Sequence, residues 1–484
     1  MRRKSLYGGR LSRALCIIGL ISFGGCKHFG ENLDASPQAL TDKRYAVAEE
    51  AKTVSEAYAF ILDNHIIPLE ADQVIVNALV GMQSFIGKER LSFIREGRGF
   101  AIFSSGETIK VKRVTNKRQG AREIRRIYSF VALTNPQNHE QGFAYAAIKK
   151  MVSMDDGSGF MPREGYKQAQ RETQGLSLGI GLRVRIRKEG ERVRVVAPVE
   201  QSPAYRAGIL PGDQVIIIDG QATKELSRDE IYGLLRGQKD SDVTLTILRK
   251  GFSKPLIFKM TPEVIIWKNI RYRLLDGHYA YINIARFGTR AAADFDEAIK
   301  EMERAAKGEI KGIILDLRDS PGGIFDGVLE IASRFVKSGL IVSVEGKQQI
   351  WKMNRRNRSP VLNYSTVVLV NGDTSAGAEI VAGVLQDYGR ATVVGSPTSR
   401  DVSIQTIFPL RDGSALRVTT HVWRLPHGRS IQETGIVPDF EIGTEAESLE
   451  TKRDVEKDRA VRTATQILKT ASSGSKDDLK MGPP

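Results

Sequence analysis

Cysteine is nearly missing from this chain of 484 residues: only Cys16 and Cys26 occur. Both stand close to the N-terminus, so the remainder can hold neither a disulfide nor a cysteine-ligated metal. Histidine is almost as scarce, with six. No histidine/carboxylate cluster has metal-ligand spacing, so no metal and no cofactor is expected. No apolar run is long enough to cross a bilayer as a helix. Aromatic residues make up 7%. The alternating basic run Arg183-Val184-Arg185-Ile186-Arg187-Lys188 lacks the interleaved rings that stack on bases, so nucleic acid is not an expected partner. That run reads as a solvated strand face suited to acidic peptides. Stability must come from core burial, which a chain of this length supports as several domains.

The first residues read as an export signal. Arg2, Arg3, Lys4, Arg10 and Arg13 form a basic start, Ala14–Phe23 is a short apolar run, and Gly24-Gly25-Cys26 follows. That ending resembles a lipoprotein cleavage site, which implies a signal over residues 1–25 and a lipid on Cys26. An ordinary secretory signal, or an inner-membrane stub with Cys26 incidental, is the alternative. The expected address is the cell envelope, lipid-anchored and facing the periplasm. Removing the signal takes five positive charges, which lowers the formal charge from +15 to +10. The surplus fits a basic solvated surface and, in an exported protein, anionic lipid or envelope polymers ahead of nucleic acid.

Residues 26–173 read as a mainly helical region. Val47, Ala51, Val54, Ala57, Phe60 and Ile61 recur at helical steps, as do Val74, Val76, Leu79, Val80 and Met82. Residues 88–140 are basic and mixed and match no module, and the hundred or so residues around them read as an insertion or an enlarged N-terminal helical domain. A further helical run, Ala144–Met154, leads into Asp155-Asp156-Gly157-Ser158-Gly159.

Residues 174–262 carry Leu176-Ser177-Leu178-Gly179-Ile180-Gly181-Leu182, a glycine-bearing loop able to line up backbone N–H groups. Ser202-Pro203-Ala204 opens a short helix, and Asp219-Gly220 makes a tight hairpin. Ser227 and Glu230 form a capping box for a helix with Ile231 and Leu235 on its apolar side. Val243, Leu245 and Ile247 alternate in a closing strand. The stretch resembles a PDZ domain. The resemblance implies binding of protein or peptide C-termini by Gly179, Ile180, Gly181 and Leu182, with Ile231 and Leu235 in the groove.

Residues 263–445 read as an α/β core: strands Tyr279–Ile284, Gly312–Leu317 and Thr366–Val370, and helices Ala291–Ala306 and Ala376–Leu385. Within it stand Asp316-Leu317-Arg318-Asp319-Ser320-Pro321-Gly322-Gly323 and Val370-Asn371-Gly372-Asp373-Thr374-Ser375-Ala376-Gly377-Ala378-Glu379. Together these resemble the core of the carboxyl-terminal processing (tail-specific) serine proteases. The expected fold class is therefore multidomain α+β and α/β: a helical N-terminal region, a PDZ domain, a tail-specific-protease-like core, and a charged tail over 446–484. That tail carries one helix, Arg459–Leu468, before a Ser/Gly/Lys end expected to be disordered.

The resemblance implies a nucleophilic serine three residues before Glu379, where Ala376 stands. It implies a lysine base in a segment reading Thr-Phe-Gly-Lys-Gly-x-x-Gln. Here that segment is Thr398-Ser399-Arg400-Asp401-Val402-Ser403-Ile404-Gln405, so the lysine position is Asp401. Gln405 matches the supporting glutamine, and Gly322, Gly323 and Gly377 match the oxyanion N–H donors. Alanine has no attacking atom, and a carboxylate is not an amine base. A one-residue slip to Ser375 and Arg400 fails, because Asn371 to Glu379 and Thr398 to Gln405 keep the family spacing. Arginine also keeps its proton.

These readings imply an inactive family member whose PDZ domain binds C-terminal ends, acting as a scaffold, trap or regulator of an active protease relative. Two alternatives stand beside it. One is an active serine peptidase with a displaced nucleophile, with His421 or His427 as base to Ser375 or Ser403. The other is a structural assembly subunit.

Overall fold

A computed structural model describes residues 37–97, 99–136, 141–155, 157–186, 193–237, 240–266, 268–308, 310–356, 361–442 and 458–473. The signal-like segment with Cys16 and Cys26, and the last residues of the tail, lie outside them. The chain divides into two compact units, Met1–Ala46 and Val47–Pro484. The described part of the first is the beginning of a helix, Pro37–Asn64. Among the described residues no helix is long and apolar enough to cross a membrane.

From Val47 onward the helical periodicity is realised. Val47, Ala51, Val54, Ala57, Tyr58 and Ile61 form one buried stripe, and the helix Ala71–Ile86 packs against Gln141–Val152. The segment that matched no module is a three-stranded antiparallel sheet, Leu91–Glu96, Gly99–Ser104 and Glu107–Lys112, followed by the helix Lys117–Thr134. Its second hairpin closes through Ser105 (φ 48°) and Gly106 (φ 87°), a pair of positive angles that matches the twist of the flanking strands. The region is therefore helical with a sheet inserted. Its apolar cluster also takes in Leu410, Leu416 and Val418, which belong to the protease-like core by sequence.

The PDZ-like domain is an antiparallel sheet ordered Leu256–Met260, Val243–Leu248, Gln214–Ile218, Val193–Pro198, Leu182–Arg185. Asp219 (φ 46°) and Gly220 (φ 81°) make the expected tight turn. Ser227 Oγ accepts from the Glu230 N–H while the Glu230 carboxylate accepts from the Ser227 N–H, the capping box expected for the helix Arg228–Arg236. A separate pair joins Leu176–Gly179 to Glu263–Ile266, so the domain closes slightly beyond residue 262.

The core sheet runs Ile270–Leu275, Tyr279–Ile284, Gly312–Asp316, Thr366–Val370, Thr392–Gly395, Phe440–Glu441. Its first pair is antiparallel and the rest parallel. Parallel strands buried on both faces read as continuous apolar runs, and Thr366–Val370 is buried throughout. Ile313, Leu315, Val368 and Val370 face the helices Ala291–Ala305, Phe325–Ser333 and Gly377–Asp387. Ile314, Val367 and Leu369 face the tail helix Arg459–Ser473, which buries Val461, Ala464 and Leu468 against them. A second sheet, Ile350–Asn354, Leu340–Gly346, Ala415–Arg424 and Ser403–Pro409, carries the base-position segment, with Gly159–Met161 paired to Ala415–Arg417.

One ionic cluster ties the tail helix to the sheet. Arg318 donates to Asp316 at 2.7 Å and to Asp458 at 3.0 Å. Asp458 also caps the tail helix by accepting from the Ala460 N–H. Burial pushes the Asp316 carboxyl up, but Arg318 and the Tyr281 hydroxyl outweigh it, and the net direction is down. A carboxylate held below its unfolded value, roughly 3.9, stabilises the fold above that pH and loses its contribution as pH falls through the folded value. Acid unfolding followed by fluorescence should therefore steepen below about pH 4. Asp458→Ala removes a helix cap and one partner of a buried cation. It should lower stability by about 2–4 kcal/mol in urea titrations, with Asp458→Asn losing less.

Candidate functional site

The strand Thr366–Val370 ends in a turn whose polar groups bind the neighbouring glycine-bearing loop. Asn371 Oδ1 accepts from the Asp319 N–H at 3.0 Å, and Asn371 Nδ2 donates to Asp319 Oδ1 at 2.9 Å. Thr374 Oγ1 donates to the Leu317 carbonyl, and the Ser375 N–H donates to the Ser320 carbonyl, each at 2.9 Å. The turn delivers Ala376 at φ 48°, ψ −115°, and the helix Gly377–Asp387 begins immediately after it. A non-glycine residue at positive φ is strained by about 1 kcal/mol or more. Strand, turn and helix here make an elbow.

Gly322 (φ 79°) and Gly323 (φ 151°) are required by close approach. A Cβ on Gly322 would stand 2.6 Å from the Gly377 nitrogen, and one on Gly323 would stand 2.3 Å from the Phe287 carbonyl oxygen. The N–H of Gly377 opens its helix and has no intrahelical acceptor. Neither it nor the N–H of Gly322 or Gly323 donates to a protein group among the described residues. The expected oxyanion donors are thus gathered beside Ala376.

Glu379 holds the elbow to the base-position loop. It is fully buried. Its Oε2 accepts from the Ala376 N–H at 2.9 Å, the Asp401 N–H at 3.0 Å and the Ser399 hydroxyl at 3.1 Å. Its Oε1 accepts from the Arg400 N–H at 2.9 Å and from the Thr398 hydroxyl. Thr398 Oγ1 in turn accepts from the Ile436 N–H. Burial raises the Glu379 carboxyl above its ordinary range, against the pull of these donors. Because one oxygen binds both the Ala376 and Asp401 nitrogens, those backbones can be no further apart than the sum of two hydrogen bonds. The structure therefore brings together the two positions where the family resemblance places nucleophile and base.

The side chains there form a different constellation. Asp401 Oδ1 accepts from the Ser403 N–H at 3.0 Å and from its hydroxyl at 2.5 Å. Ser403 Oγ accepts from Gln405 Nε2 at 2.7 Å. Ser403 and Gln405 stand two residues apart in the strand Ser403–Pro409, so their side chains share a face. Arg400, where the resembled segment has glycine, takes φ 76°. The relay is polar: its one hydroxyl proton goes to the Asp401 carboxylate, and it contains no amine.

Several contributors were not singled out by the sequence reading. Gly157 lies under the relay, where a Cβ would stand 3.0 Å from Gln405 Nε2. Ser158 Oγ bonds Thr419, and Asp155 bonds the buried His65 at 3.1 Å. Burial pushes the Asp155 carboxyl up, but the Ser158 and Thr419 groups and His65 bring it below its ordinary range. The Asp155–Ser158 segment stands in the sequence just after a predicted helix, but its partners His65 and Thr419 are far away along the chain. His421 hydrogen-bonds Thr420 at 2.7 Å and meets the edge of Trp351, and burial lowers its pKa. His427 is exposed beside Asp387. Neither histidine bonds Ser375 or Ser403 among the described residues. No cluster of three or more potential metal ligands occurs among them either.

A cleft of about 540 Å³ begins at the PDZ-like loop and runs toward the elbow. Gly179, Ile180, Gly181, Leu182 and Leu235 line it. Gly181 (φ 73°) leaves no room for a Cβ, which would meet Ser202 at 2.2 Å. The Ile180 N–H reaches the Leu235 carbonyl only at 3.5 Å. Ile231, expected in the groove, instead packs in the domain core, 1% exposed, and the next residue, Tyr232, lines the cleft. The helix presents a face rotated by one position from the one its periodicity suggested. The far wall is formed by Pro321, Asp319 and Asp373, beside the elbow.

The model for peptidase family S41 matches residues 278–442, and that for the PDZ domain matches residues 194–249. The chain is 35% identical over 293 residues to the carboxy-terminal-processing protease of Bartonella bacilliformis, covering 60% of this chain and 67% of that one. It is 33% identical over 309 residues to the carboxyl-terminal-processing protease of a Synechocystis species, covering 63% and 71%. Among solved structures, the photosystem II D1 C-terminal processing protease superposes with a TM-score of 0.54 at 22% identity, covering 86% of this chain and 97% of that one. That likeness supports the fold.

Glu379→Gln would aim an amide N–H₂ at N–H and hydroxyl donors. It should cost about 1–3 kcal/mol for each donor left unsatisfied, read as a lower urea midpoint. Glu379→Asp, which is too short to span both loops, should not rescue it.

Proposed function

The chain belongs to the carboxyl-terminal processing proteases of peptidase family S41, and we propose that it binds peptide C-termini without cleaving them. The observation that carries this reading is the pairing of Ala376 and Asp401 at one Glu379 carboxylate. The family's chemistry needs a hydroxyl and a neutral amine at these two positions. A serine–lysine dyad attacks when the amine removes the hydroxyl proton and backbone N–H groups stabilise the oxyanion. Here the donors at Gly322, Gly323 and Gly377 remain in place. The attacking atom is missing, and Asp401 would add a negative charge beside a developing one. Loss of the nucleophile alone lowers turnover by about a millionfold.

Binding is supported by the retained cleft. A peptide end would enter at Gly179–Leu182, extend along the strand Leu182–Arg185 and reach toward Pro321. Held but not cut, such a peptide makes the protein a trap, a scaffold, or a regulator of an active relative that shares its substrates. In the same reading the protein is exported and lipid-anchored through Cys26, facing the periplasm. The basic start, short apolar run and Gly24-Gly25-Cys26 support that address.

Incubation of the purified mature protein with unfolded and tailed substrates should give no cleavage above a buffer control, and a serine-directed phosphonate should label nothing. Proteolysis that survives removal of contaminants and vanishes in Ser375→Ala would overturn the reading in favour of a displaced nucleophile. The double variant Ala376→Ser with Asp401→Lys should gain measurable cleavage, because the elbow and oxyanion donors await it. Either single change should remain at least about a hundredfold weaker, since nucleophile and base act as a unit.

A further inference from the structure

The cleft between the PDZ-like loop and the elbow is lined by cations. Four exposed ones run from Arg236, beside Gly179 of the PDZ-like loop, to Arg286, whose neighbour Phe287 donates its N–H to the Gly322 carbonyl beside the elbow. They are Arg236 at the end of the helix Arg228–Arg236, Lys268 and Arg271 around the start of the strand Ile270–Leu275, and Arg286 just beyond Tyr279–Ile284. Among the described residues none of the four makes an ion pair. This sets them apart from Arg206, Arg249 and Arg318, each of which faces a carboxylate. The same lining holds the carboxylates Glu172, Asp319 and Asp373, of which Glu172 accepts from Gln168 Nε2 and Asp319 from Asn371 Nδ2. Its apolar part is Leu178, Ile180, Leu182, Leu235 and Ile265.

Resting on the peptide-binding reading, we propose that this groove selects C-terminal tails with an apolar last residue preceded by several acidic ones. The loop N–H groups take the terminal carboxylate and the apolar wall takes the last side chain. An extended tail then advances about 3.3 Å per residue, so its next few side chains pass the four cations. Carboxylates there are attracted from both walls, while lysines or arginines there are repelled. Each contact in a water-exposed cleft contributes a few-fold, so three acidic residues should give roughly tenfold.

The test uses the full mature protein and fluorescein-labelled ten-residue peptides ending in Leu-Ala with a free carboxylate. The second to fourth positions before that pair are all Glu, all Gln or all Lys. Anisotropy titrations at about 50 and 300 mM salt read the affinities. The Glu peptide should bind roughly tenfold more tightly than the Gln peptide, and the Lys peptide more weakly than both. The Glu advantage should shrink at the higher salt. In Arg271→Gln/Arg286→Gln the Glu-to-Gln ratio should fall below about threefold.

Equal affinity for the Glu and Gln peptides would overturn acidic selection and leave peptide-end binding standing. Undiminished binding of an amidated Glu peptide would also overturn it, because attraction would then come from the basic surface at large. Failure of all free-carboxylate peptides to bind would sink both this proposal and the binding reading beneath it.

Discussion

The architecture around the elbow depends on one buried carboxylate. Glu379 accepts from five donors drawn from two segments that the sequence separates, one at Ala376 and one spanning Thr398–Asp401. Water cannot reach it, so removal of any donor leaves charge or dipole uncompensated in a low-dielectric interior. This dependence keeps the Ala376 and Asp401 backbones together whatever side chains they carry. The link is made by their backbone N–H groups. Substitution at either position should therefore cost little structure, while substitution of the glutamate should cost much.

The same logic separates what the sequence revealed from what it hid. Local chemistry was legible: the Ser227–Glu230 capping box, the Asp219-Gly220 turn and the all-buried strand Thr366–Val370 each followed from neighbouring residues. The sheet inside residues 88–140 was missed because exposed apolar residues, Ile94 and Phe103, and the consecutively buried Phe100, Ala101 and Ile102 blur the alternation. The Asp401–Ser403–Gln405 relay was out of reach, since two-residue spacing is common to every strand and does not say which same-face side chains bond one another. Ile231 shows a finer failure. Periodicity identifies an apolar face, yet a helix of nine residues can bury one side of that face in its own domain and offer the other to a ligand.

Two electrostatic arrangements in this chain do opposite things. The Asp316–Arg318–Asp458 cluster is internally matched and buried, and it fixes the tail helix to the strand that leads into the glycine-bearing loop. Arg236, Lys268, Arg271 and Arg286 along the cleft are exposed and make no ion pair among the described residues, so their field extends into the space a ligand would occupy. Matched charge here builds structure, while unmatched charge prepares a surface.

The apolar cluster that joins Leu410, Leu416 and Val418 to the N-terminal helices has a consequence for how the molecule comes apart. Residues that belong to the protease-like core by sequence complete the N-terminal core in space. These two regions should melt as one cooperative block, and a fragment lacking the first would expose the apolar side of the second. The PDZ-like domain, with its own closed cluster, is the piece able to open and close as a subglobal unit. Boundaries of resemblance and boundaries of cooperativity thus fall in different places along this chain.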